Sequence, residues 1–169
     1  LESALLDKSK EFDSVIKMGR TQLQDAVPIR LGQEFHAYVS AIRRDIKRFD
    51  NAKEEIRCLN LGGTAIGTGL NVDVQYFHRV VKNMSTLTGE ELVQSYDMID
   101  ATQNLDSYAS ISGIVKNCGV NLSKMSNDLR LMSSGPRTGF GEINLPARQN
   151  GSSIMPGKVN PVIPEVVNQ

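Results

Sequence analysis

Ile111, Val115, Cys118, Leu122, Met125, Leu129 and Met132 follow one another at alternating steps of four and three residues. A 3.5-residue repeat is the seam of helices packed with a left-handed twist, so this segment commits the chain to a helical bundle. The remaining faces constrain the fold further. Between Ser107 and Asn127 only Lys116 and Lys124 are charged, and Ser110, Ser112, Gly113, Gly119, Ser123 and Ser126 lie among them. A helix so poor in charge is usually covered on most sides. With 169 residues the chain has few elements to spare, so identical helices from other subunits are expected to cover it. Ser133-Ser134-Gly135-Pro136 stops the helix.

A second amphipathic face runs through Leu31, Phe35, Tyr38, Ile42, Ile46, Phe49, Ile56 and Leu59, again at helical spacing. Arg43, Arg44, Lys47, Arg48, Lys53 and Glu54 suit the water-facing side. A helix over 31–59 is about 29 residues, or roughly 43 Å, long; Gly62 and Gly63 are expected to end it. Asp73 then caps a shorter helix with Val74, Phe77, Val80, Val81, Met84 and Leu87 inward, stopped at Thr88-Gly89. No period-two run of useful length marks a strand. The fold class is all-α, a long-helix bundle, and length alone suggests one domain.

Net charge is +0 with pI near 6.9 and no long basic block, which gives no electrostatic case for nucleic acid or an anionic membrane. No apolar stretch approaches the roughly 20 residues of a membrane span, and no signal peptide is visible. Cys58 and Cys118 lie far apart in helical patterns, as reduced, packed thiols of a cytoplasmic protein would. His36 and His78 have no companion ligands at metal-site spacing, so no metal site is expected.

Chemistry concentrates in Gly151-Ser152-Ser153-Ile154-Met155-Pro156-Gly157-Lys158-Val159-Asn160-Pro161. Two glycines and two prolines exclude a continuous helix or strand. The loop also offers two hydroxyls, an ammonium and an amide, a set able to face a small anion. Taken singly, these residues have bland explanations. Asn160 before Pro161 is a good helix N-cap, with Val162, Ile163, Val166 and Val167 starting an apolar face beyond it. Lys158 alone is a solvated lysine and Ser152 a loop serine.

The whole run resembles the signature of the fumarase/aspartase superfamily, lyases that release fumarate. Gly19-Arg20-Thr21-Gln22-Leu23-Gln24-Asp25-Ala26-Val27-Pro28 with Leu31-Gly32-Gln33-Glu34-Phe35 resembles its second signature region. Gly62-Gly63-Thr64-Ala65-Ile66-Gly67-Thr68-Gly69-Leu70-Asn71 resembles its inter-helix turn. Gln22, where fumarases commonly have His, and the stretches Asp100-Ala101-Thr102-Gln103-Asn104 and Pro161–Gln169 bring the chain nearest the aspartate ammonia-lyase branch. The glycine run of the turn is no phosphate loop, because Thr68 follows Gly67 where a lysine is needed and no strand precedes it.

The resemblance implies reversible elimination of ammonia from L-aspartate to give fumarate, without a cofactor, with fumarase or another fumarate-releasing lyase as the alternative. It implies that Ser152 is the general base on a mobile loop, and that Lys158 and Asn160 hold a substrate carboxylate, with Ser153 a further donor. Thr21 and Gln22, a hydroxyl and an amide able to bind a carboxylate without charge, correspond to further substrate contacts. Arg20 is as well explained by pairing with Asp25 or another carboxylate. The partners implied are a small dicarboxylate and identical subunits in a homotetramer whose sites draw on three chains. Residues 1–169 are expected to be part of the central helical domain, lacking a Ser-, Thr- and Asn-rich segment before Gly19 and inactive alone. A non-catalytic helical oligomerisation module is the alternative of a different class.

Overall fold

The computed structural model describes residues 1–169. In chain order the elements are α1 (Glu2–Glu11), β1 (Ile16–Thr21), β2 (Gln24–Arg30), α2 (Leu31–Ile56), β3 (Cys58–Leu59), α3 (Val74–Thr88), β4 (Val93–Gln94), α4 (Asp100–Gln103), α5 (Asp106–Met132) and α6 (Val162–Asn168). They form two compact units, Leu1–Asp45 with Lys116–Gln169, and Ile46–Val115. Helices dominate, as expected, and the two longest are α2 and α5.

In the first unit, Leu31, Phe35, Tyr38, Val39 and Ile42 of α2 are buried with Leu5 of α1 and with Met125 and Met132 of α5. Leu122 and Leu129 pack against that cluster, so the C-terminal half of the heptad seam is core. Phe12, Phe35 and Tyr38 stack edge to face at centroid separations of 5.2 and 5.8 Å, a geometry aromatic quadrupoles favour. Gly32 allows α1 to approach the start of α2, because a Cβ there would lie 2.3 Å from the Ser9 carbonyl oxygen. Ser9 Oγ donates to the Gly32 carbonyl at 2.9 Å in this buried contact. Tyr38 donates to Asp128 Oδ2 at 2.9 Å, and Asn121 Nδ2 donates to both Asp45 carboxylate oxygens, tying α2 to α5.

The hairpin of β1 and β2 corrects the expectation that no strand is present. The strands pair antiparallel from Ile16↔Arg30 to Thr21↔Gln24, with an irregularity between Met18 and Arg20. The connecting residues, Gln22 and Leu23, have φ of 51° and 63°. Two successive left-handed residues make the tight turn that matches strand twist, normally built with Asn or Gly.

In the second unit, α2 ends at Ile56, earlier than expected. Cys58–Leu59 instead pairs parallel with Val93–Gln94, so Cys58 is in a strand rather than a helix. Asp73 caps α3 as expected, its side chain accepting from Tyr76 N at 3.0 Å, and Gly89 closes it. Val81 is buried, whereas Val74 and Leu87, expected inward, are exposed. Gly62–Asn71 forms a turn that closes through Gly69 N to the Gly63 carbonyl at 3.0 Å.

Candidate active site

The loop of residues 151–161 is closed at its base by backbone contact. A Cβ on Gly151 would lie 1.9 Å from the Lys158 carbonyl oxygen, so only glycine permits the two limbs to touch. Asn160 Nδ2 reaches across to the Gly151 carbonyl at 3.4 Å, and Lys158 N donates to the Met155 carbonyl at 3.2 Å. Asn160 is therefore not the N-cap it was expected to be. Pro161 occupies that position, no side chain caps α6, and the Asn160 amide braces the loop instead.

Ser152 is half-buried near this base, and its Oγ accepts from Ile154 N at 3.3 Å. Ser153 is exposed, and so is the loop tip, with Ile154 at 84%. Lys158 and Asn160 line one cleft with Asn127, Arg130, Leu131, Ser133, Ser134 and Gly135 from the end of α5 and its stop.

Thr21 and Gln22 sit at the tip of the β1–β2 hairpin, both exposed. Gln22 borders a different cleft, with Lys17, Arg20, Glu34, Tyr38, Lys124, Asp128 and Phe140. The two clefts share Leu131 alone. On α5, the sequence places 124, 128 and 131 roughly a quarter turn from 127 and 130. The structure thus gathers Lys158 and Asn160 at one cleft and leaves Gln22 at another.

The hairpin is fixed by an ion-pair network that the sequence showed only at Arg20. Lys17, 9% exposed, pairs with Glu34 at 3.0 Å and Glu142 at 3.1 Å. Arg20 pairs with Glu142 at 2.8 Å and Asp25 at 3.5 Å, and its guanidinium covers the Phe140 ring at 3.9 Å. Pairing, one of the two explanations left open for Arg20, is what the structure contains. In the same cleft Lys124 pairs with Asp128, which also accepts from Tyr38. Burial, reinforced by the Asp128 charge, pushes the Tyr38 pKa far above the ordinary tyrosine value. Burial also raises the Cys118 thiol, with Asp45 adding to it. No three His, Cys, Asp or Glu residues converge as metal ligands, and no helix is long and apolar enough to cross a membrane.

The lyase family model matches residues 1–169, the entire chain. The chain belongs to that family. It is 57% identical over 169 residues to the aspartate ammonia-lyase of Bacillus subtilis (strain 168), covering 100% of this chain and 36% of that protein. It thus spans about a third of the length of the curated relatives it matches. Among solved structures, fumarate lyase:delta crystallin from Brucella melitensis bound to cobalt aligns with TM-score 0.93 and 51% identity, covering 99% of this chain and 36% of that one. Recombinant class II fumarase from Schistosoma mansoni aligns with TM-score 0.90 and 35% identity, covering 99% and 38%. The helical architecture and the family expected from the signature loop are therefore both confirmed.

Arg130 and Glu142 were missed from sequence. Arg130 was legible as the i+3 partner of Asn127 on one face of α5. Glu142 lies in an irregular segment, and nothing local marks it as the shared partner of Lys17 and Arg20.

Proposed function

We propose that this chain is the central helical part of an aspartate ammonia-lyase, which reversibly eliminates ammonia from L-aspartate to give fumarate without a cofactor. The observation that carries the reading is the 151–161 loop, closed at its base by the contact of Gly151 with Lys158, with Lys158 and Asn160 lining one cleft. The identity of 57% to an aspartate ammonia-lyase, against 35% to the class II fumarase structure, favours aspartate over malate as substrate.

In this reading Ser152 acts as an alkoxide and takes the proton from the carbon next to the substrate's β-carboxylate. The C–H electron pair moves into that carboxylate as an enediolate. It returns to form the carbon–carbon double bond as the C–N bond breaks and ammonia leaves. Donors aimed at the carboxylate oxygens stabilise the intermediate most, because its charge is greatest there. Lys158 and Asn160 hold a substrate carboxylate, Ser153 adds a donor, and Thr21 and Gln22 complete the contacts from the hairpin. One N–H at 3.3 Å is weak support for a serine alkoxide. The active base therefore draws on further donors brought by neighbouring subunits of a homotetramer, and residues 1–169 alone are inactive. The exposed tip serves as a mobile lid over the pinned base of the loop. The protein acts in the cytoplasm.

The test is fumarate absorbance with the full-length protein, given aspartate and, separately, malate. Formation from aspartate is expected; turnover of malate alone would overturn the assignment.

A further inference from the structure

The two clefts beside α5 differ in how their cations are neutralised. Around Gln22, Lys17, Arg20 and Lys124 are each paired with a carboxylate from Glu34, Glu142 or Asp128. The cleft around Lys158 contains Arg130 as a second cation and no Asp or Glu in its lining. Neither Arg130 nor Lys158 forms an ion pair within the chain. The dipole of α5 favours a cation in its last turn, yet does not explain why the guanidinium is tied down. Arg130 Nη1 donates to Asn127 Oδ1 at 3.4 Å, and that oxygen also accepts from Asn168 Nδ2 of α6 at 3.0 Å. Such an anchor uses one of five N–H donors and leaves the others for a planar anion.

We propose that Arg130 is a second cationic ligand for a carboxylate of the dicarboxylate substrate, set beside Lys158 in the cleft where α5 ends. This rests on the assignment of Lys158 and Asn160 as substrate ligands. A guanidinium supplies paired N–H groups in the plane of a carboxylate, whereas Lys158 supplies a point charge. The pair would select dicarboxylates over their monoamides by requiring the second negative charge.

The experiment uses the full-length protein with R130Q, R130K and K158Q, measuring aspartate turnover and inhibition by succinate and by its monoamide. In R130Q the KM for aspartate and the succinate inhibition constant are expected to rise by about tenfold or more, with a smaller change in kcat. R130K should recover part of the loss, and discrimination against the monoamide should shrink in R130Q. A merely structural arginine would not move that discrimination. An unchanged succinate constant in folded R130Q, with a raised constant in K158Q, would overturn the role of Arg130 alone. Unchanged constants in both variants would remove the substrate role of the whole cleft. Should R130Q not fold, phenylglyoxal labelling of the unaltered protein, mapped by peptide mass, decides the matter. Succinate should slow labelling at Arg130, and equal rates with and without succinate would overturn the proposal.

Discussion

At the scale of single residues, the first unit contains side chains whose charge state is set by burial. Tyr38 is buried, donates to Asp128 and lies beneath Lys124, whose ammonium is 5.5 Å from its ring centroid. Its pKa is raised in the folded state, so the fold favours the neutral phenol. The linked stability is fully present below the unfolded tyrosine value of about 10 and is lost as pH climbs above it. Tyr38→Phe removes a hydrogen bond to a charged group and is expected to cost about 1.5–3 kcal/mol at neutral pH. Thermal denaturation of both proteins across pH 7 to about 11 checks this. The gap between them should narrow above about pH 10, where ionisation of Tyr38 penalises only the unaltered protein. A gap independent of pH would mean that the phenol does not hold its proton in the fold.

At the scale of elements, the loop of residues 151–161 depends on one glycine. An alanine at Gly151 would drive its Cβ against the Lys158 carbonyl oxygen and separate the limbs that Asn160 joins. Gly151→Ala in the full-length protein should lower kcat/KM by at least about tenfold while leaving the melting temperature within about 2 °C. Steady-state kinetics beside a melting curve tests both halves. The same loop shows where sequence stops being sufficient. Its composition excluded regular structure, but Asn160 had two local fates, capping α6 or bracing Gly151, and only tertiary contact decided between them. The stop of α3 was legible because Asp73 and Gly89 act on adjacent backbone. The end of α2 was not, since no breaker lies between Ile56 and Gly62 and pairing with Val93–Gln94 ends the helix. The hairpin escaped notice for a related reason. Most of β2 is exposed, so no alternation is imposed on it, and its turn uses Gln22 and Leu23 in place of Gly or Asn. Thr21, Gln22 and the loop stand out in the sequence as candidates from their motifs; that Gln22 and Lys158 line separate clefts was not legible, because that depends on how far around α5 each cleft lies.

At the scale of the whole molecule, the exposed apolar side chains describe what the chain lacks. On α5, Tyr108, Val115 and Val120 are 67%, 54% and 60% exposed, although their stretch of helix is nearly free of charge. On α2, Ile46, Phe49 and Ile56 are exposed while the first half of the same apolar stripe is buried. Such surfaces associate in water. Light scattering should find an oligomer at micromolar concentration; a stable, soluble monomer would contradict the view that copies of this helix cover one another. The division of site residues between two clefts carries the same argument into catalysis. If Thr21 and Ser152 serve one reaction from different copies, each variant oligomer should be inactive while mixed oligomers regain some intact sites. The most direct measurement is ammonia release from aspartate by full-length Thr21→Val and Ser152→Ala proteins, each alone and after being unfolded and refolded together. Ser152→Ala alone should fall by about 10²–10⁴ in kcat, Thr21→Val alone should lose most of its activity, and the mixture should recover a clear fraction of unaltered activity. A Ser152→Ala protein within about tenfold of unaltered activity, or a mixture as inactive as its components, would contradict the account.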